Sequence, residues 1–106
     1  MFPTEVPAVL VSDLAPAAPV PAGTTLLDVR EQEEWDAGHA PGALHIPLGD
    51  LPARLGELPV DERIVVVCRS GARSARATAW LAQGGYDAVN LDGGMLEWAQ
   101  AGLPVV

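Results

Sequence analysis

The segment Ile64 to Val67 reads IVVV and runs without a break into Cys68, Arg69, Ser70 and Gly71. Four β-branched residues in succession favour an extended backbone. An unbroken apolar run, unlike an alternating one, needs both faces of its strand covered. Such a strand belongs inside a parallel sheet with helices above and below. The next stretch, Ser74 to Gln83, is rich in Ala and stops at Gly84-Gly85, which predicts a helix with Ser74 as its N-cap. The strongest strand of the chain therefore feeds through a short loop into its strongest helix.

Weaker signals of the same kind fill the remainder. Leu26 to Val29 is a second strand, entered from the turn-forming Pro21 to Gly23, and Ala8 to Val11, Ala43 to Ile46 and Ala88 to Leu91 are further candidates. Glu31 to Ala37 reads as a short helix ended by Gly38. Leu51 to Leu55 reads as another, and Gly94 to Ala101 as a last one, ended by Gly102 with Pro104 beyond. Strands alternating with helices predict an α/β fold with a mainly parallel sheet. Residues 1–106 are read as one domain: 106 residues, 49% of them hydrophobic, supply one shared core and leave no room for a second catalytic or cofactor domain. There is no internal repeat, and Pro16 to Gly23 is the one Ala/Pro-rich connection.

Fourteen acidic residues against six basic ones give a formal charge of -8, which works against binding a polyanion such as nucleic acid. All six basic residues are Arg, and Arg69, Arg73 and Arg76 fall in one short stretch. A single Cys excludes an intramolecular disulfide, and with His39 and His45 alone beside it no structural zinc pattern is present. The N-terminus has no basic region, and Val6 to Val11 is too short and Pro-interrupted for a signal peptide or membrane span. On that basis, with Met1 taken as the native start, the expected location is cytoplasmic.

Cys68 lies where a buried parallel strand meets a helix, the place at which open α/β sheets bind ligands. Gly71 permits an unusual backbone turn there, and a loop curled from Arg69 to Ser74 points successive N–H groups inward as an anion nest. The thiolate is the nucleophilic form, and an ordinary Cys with pKa about 8.5 is only a few per cent ionised at pH 7. Amide donors and guanidinium groups are the means of lowering that value. Arg69 and Arg73 also suit sulfonate-like or phosphate-like oxygens, which a planar guanidinium binds in bidentate fashion. A lone Cys at a strand end is commonly core packing, but packing gives no reason for Arg, Ser, Gly and Arg to follow where a helix begins.

At this point the chain resembles the rhodanese family along nearly its whole length. CRSGARS (Cys68 to Ser74) is similar to the active-site loop of its sulfurtransferase branch. In family order and spacing come LLDVRE (Leu26 to Glu31), Glu34-Trp35 followed by GHAPGALHIPL (Gly38 to Leu48), LDGGMLEW (Leu91 to Trp98) and a closing GLPV. The resemblance implies a five-stranded, mainly parallel sheet flanked by helices on both faces. It also implies a reaction in which Cys68 takes the outer sulfur of thiosulfate or another donor and passes it, as a persulfide, to cyanide, a cellular thiol or a sulfur-acceptor protein. No metal or organic cofactor is implied, and the expected state is a monomer or weak homodimer.

The residues carried over are Cys68 as nucleophile, Arg69 and Arg73 as contacts to the substrate anion, and the backbone of Arg69, Ser70, Gly71, Ala72, Arg73 and Ser74 as the cradle. Arg30 is read either as a substrate contact or as a structural salt-bridge partner, the second being favoured. Asp28 is expected to be a buried acceptor, His39 and His45 structural, Trp35, Trp80 and Trp98 core or groove-lining, and Arg76 an exposed side chain. Two rivals stand beside this reading. One is a phosphatase or arsenate reductase: cell-cycle dual-specificity phosphatases share the fold, but they place five residues between Cys and Arg where this chain has four, and a His before Cys where this chain has Val67. Non-catalytic docking or sulfur-relay modules are the other.

Overall fold

The computed structural model describes residues 6–106; the five before them, part of the N-terminal stretch read for a leader, lie outside. Five strands, β1 (Ala8–Leu10), β2 (Thr24–Asp28), β3 (Leu44–His45), β4 (Arg63–Val67) and β5 (Ala88–Asp92), form one sheet in the order β1-β5-β4-β2-β3. Every described strand pairing is parallel. The helices are α1 (Gln32–Asp36), α2 (Ala72–Gln83) and α3 (Gly94–Gln100). Among the described residues no helix is long and apolar enough to cross a membrane.

β4 is the hub, paired with β2 on one side and β5 on the other. Its side chains alternate between two separate cores, as the period of a strand requires. Ile64, Val66 and Cys68 join Leu27, Val29, Ala77 and Leu81 beneath α2. Val65 and Val67 join Leu26, Leu91, Met95 and Trp98 beneath α3. Helices thus cover both faces, and the uniformly apolar IVVV is explained.

Three local readings need correction. α2 begins at Ala72, not Ser74: Gly71 turns the chain at φ 114°, and the first helical bond runs from the Ala75 N–H to the Gly71 carbonyl at 3.0 Å. Ser74 is consequently a buried residue of the first turn, not the N-cap. Leu51 to Leu55 lies within longer 3-10 turns over Leu48–Glu57, where Pro52, lacking an N–H, cannot contribute a backbone donor. Trp80, expected in the core or a groove, is 43% exposed, because the buried stripe of α2 is Ser74, Ala77, Thr78 and Leu81. Trp98 is buried and donates its indole N–H to the Pro104 carbonyl at 2.8 Å.

Candidate active site

Cys68 follows the last residue of β4 and is only 1% exposed. Three donors converge on its sulfur: the Gly71 N–H at 3.1 Å, the Ser74 N–H at 3.4 Å and the Ser74 hydroxyl at 3.3 Å. Burial pushes the thiol up. The Ser74 hydroxyl and the amides of Ser74, Gly71 and Ser70 outweigh it, leaving the thiol below its ordinary value. The oriented hydrogen bonds thus stabilise the thiolate more than an ordinary cysteine's surroundings do.

The loop can turn its N–H groups inward because α3 takes its carbonyls. The Met95 and Leu96 N–H groups donate to the carbonyls of Cys68 and Arg69 at 2.9 and 3.0 Å. That contact requires Gly94, since a Cβ there would stand 2.5 Å from both of those oxygens. Inside the loop, the Gly71 carbonyl accepts from the Ala75 N–H and the Asn90 side chain, and the Ser74 hydroxyl lies 3.2 Å from it. The LDGG segment and the Cys68 loop are therefore two halves of one structure.

The cationic groups divide into paired and unpaired. Arg30 is buried with Asp28, donating to its carboxylate from the backbone N–H, Nε and Nη2, and from Nη2 also to the Gly38 carbonyl at 2.8 Å. Arg73 is bound in bidentate fashion by Glu34, at 2.6 and 2.8 Å. This hydrogen-bonded pair lowers the Glu34 carboxyl to about 2. Arg69 is exposed, and among the described residues it makes no ion pair. With Arg30, Glu34, Leu96 and Val105 it lines an open groove of about 340 Å³ beside the loop.

The two histidines brace this region. Both imidazoles stack on Trp35, with centroids 3.6 Å away for His39 and 4.6 Å for His45. His39 Nδ1 lies 2.9 Å from the Trp35 carbonyl and His45 Nε2 lies 2.8 Å from the Arg30 carbonyl. Sequence reasoning missed Asn90 and the Glu34 to Arg73 pair. Asn90 carried a signal, as a polar residue within an apolar strand; Glu34 carried none, since 39 residues separate it from Arg73. Among the described residues no group of three or more His, Cys, Asp or Glu is arranged to hold a metal ion.

The family model for the rhodanese-like domain matches residues 13–101. A protein of Allochromatium vinosum named sulfurtransferase is 48% identical over 82 residues, which cover 76% of this chain and 77% of that one. An HTH-type transcriptional regulator of Mycobacterium tuberculosis is 47% identical over 83 residues, 76% of this chain but 37% of the regulator. The crystal structure of a rhodanese-related protein from Thermoplasma volcanium superposes with a TM-score of 0.85 at 33% identity, over 94% of this chain and 97% of that one. The parallel sheet, the loop at its centre and these matches define one class: the chain belongs to the rhodanese-like family, a family of sulfurtransferases and sulfur carriers.

Proposed function

We propose that residues 1–106 form a single catalytic unit that moves a sulfane sulfur from thiosulfate or a persulfide donor, through a persulfide on Cys68, to a thiophilic acceptor. The observation that carries this reading is the convergence of two backbone N–H groups and the Ser74 hydroxyl on one buried sulfur. The Cys68 thiolate attacks the outer sulfur of thiosulfate. A new S–S bond forms, the old one breaks, and its electron pair leaves with sulfite. The terminal sulfur of the Cys68 persulfide then carries the negative charge, and the loop amides that favour the thiolate suit that anion equally. Attack by a thiolate or cyanide on the terminal sulfur returns Cys68 to its starting state.

Arg69 is assigned to the departing sulfite or its equivalent, because its guanidinium is exposed and uncommitted beside the loop. Arg73 and Arg30 would have to exchange carboxylate partners for substrate to play the same part. No metal or organic cofactor enters the cycle, since the sulfur is carried on the protein. A thiol acceptor fits a reducing compartment, and the protein is assigned to the cytoplasm on that ground. The phosphatase rival is disfavoured by Ser74: it stands sixth after Cys68, where those enzymes carry Arg, and it offers the sulfur a hydroxyl instead of a phosphate clamp.

The test is intact-mass spectrometry after incubation with thiosulfate and, separately, with a low-molecular-weight persulfide. One added sulfur that cyanide removes as thiocyanate is expected, and Cys68→Ser should abolish it with the melting temperature preserved. Retained transfer by Cys68→Ser would remove the nucleophile from Cys68. A thiol that alkylates but accepts sulfur from neither donor would move the docking reading ahead.

A further inference from the structure

β5 reads Ala-Val-Asn-Leu-Asp, a buried strand with one amide in its middle. Asn90 is 3% exposed. Its Nδ2 donates to the Gly71 carbonyl at 3.2 Å and to the Asp92 carboxylate at 2.8 Å, while its Oδ1, also buried, has no partner among the described residues. An orphaned oxygen in a core is a cost that an apolar residue would avoid. What the strand does not explain, the loop above it does.

The Ser74 hydroxyl stands 3.3 Å from Cys68 Sγ and 3.2 Å from the Gly71 carbonyl oxygen. It has one hydrogen and cannot donate to both. A carbonyl oxygen has two lone pairs. The Ala75 N–H, at 3.0 Å, takes one of them and Asn90 Nδ2 takes the other. We propose that Asn90 is a positioning residue for the nucleophile: by filling the second lone pair of the Gly71 carbonyl, it directs the Ser74 hydroxyl proton onto the Cys68 sulfur. Without that amide the carbonyl competes for the proton, and the sulfur loses one of its three donors. The inference rests on the reading of Cys68 as the reacting thiol and names a residue that supports it from a different strand.

The experiment is the pH profile of Cys68 alkylation by iodoacetamide in the wild type, Asn90→Leu, Ser74→Ala and the double variant, each with its thermal melt. Asn90→Leu should move the midpoint upward by roughly one pH unit, a tenfold change in the ionisation constant. Ser74→Ala should move it similarly, and the double variant no further than Ser74→Ala alone. A folded Asn90→Leu with an unmoved midpoint overturns the proposal. An Asn90→Leu shift that persists in full without the Ser74 hydroxyl also overturns it, because Asn90 would then act by another route. If the Leu variant does not melt cooperatively, Asn90→Val decides: it suits a buried strand, adds no charge and equally lacks the donor, and the same upward shift is expected. Alkylation needs no sulfur donor. A wild-type Cys68 that takes no sulfur therefore defeats the proposed function, whereas an unmoved midpoint defeats this inference alone.

Discussion

Arg69 and Arg73 stand four positions apart in one loop, yet only Arg73 is already matched by a carboxylate. Its two bonds to Glu34 are short, and their hydrogen bonding raises the Arg73 guanidinium further above its ordinary range. An incoming dianion has to compete with Glu34 for Arg73, whereas no carboxylate among the described residues is paired with Arg69. A charge-assisted hydrogen bond contributes about 1.5–3 kcal/mol. Arg69→Ala should therefore lower kcat/KM for thiosulfate by roughly 10–100-fold, and Arg73→Ala by distinctly less. Steady-state kinetics of the two variants check the order. A larger loss at Arg73 would mean that Glu34 releases it when the donor arrives, leaving Arg73 the substrate contact expected of it from the sequence.

Between elements, the site depends on how closely α3 approaches the loop after β4. Gly94 has φ +57°, and a Cβ at that position would meet the carbonyl oxygens of Cys68 and Arg69 at 2.5 Å. Gly94→Ala combines left-handed strain with overpacking against backbone that cannot swing aside, a loss of roughly 2–4 kcal/mol. For a domain of this size that is a fall in melting temperature of about 10 °C or more. Sulfur uptake should drop as well, since the displaced carbonyls no longer hold the amides toward the thiol; a calorimetric scan with the mass assay checks both. Elements of this kind were legible where they are local: IVVV announced the central strand, Gly84-Gly85 the end of α2, and Gly102 the end of α3. Ser74 was misplaced because Ser is a good cap by propensity, whereas the turn at Gly71 starts the helix two residues sooner. The Gly71 to Asn90 bond and the Glu34 to Arg73 pair join segments distant in sequence, and no local pattern encodes such partners.

Over the whole molecule, 14 carboxylates face six guanidinium groups, and among the described residues four of those six are held in ion pairs. Most acidic side chains therefore contribute mutual repulsion, which acidification relieves. Glu34 works in the opposite direction. Its folded value, about 2, lies below the ordinary 4.5, chiefly because of its hydrogen bonds to Arg73. A depressed carboxyl stabilises the folded state in full above the unfolded value and loses that contribution as pH falls from about 4.5 toward 2. The two side chains are 27% and 34% exposed, so solvent screening limits the pair to about 1 kcal/mol or less. Glu34→Gln removes the charge and keeps an oxygen for the Glu31 N–H, which Glu34 Oε1 accepts at 3.0 Å. Urea unfolding at pH 7 should find the wild type more stable than Glu34→Gln by up to that amount, and the gap should close below about pH 2. A gap that is unchanged in acid would place the role of Glu34 in its hydrogen bonds and not in its charge. The link between α1 and the Cys68 loop would then be geometric, equally strong at every pH.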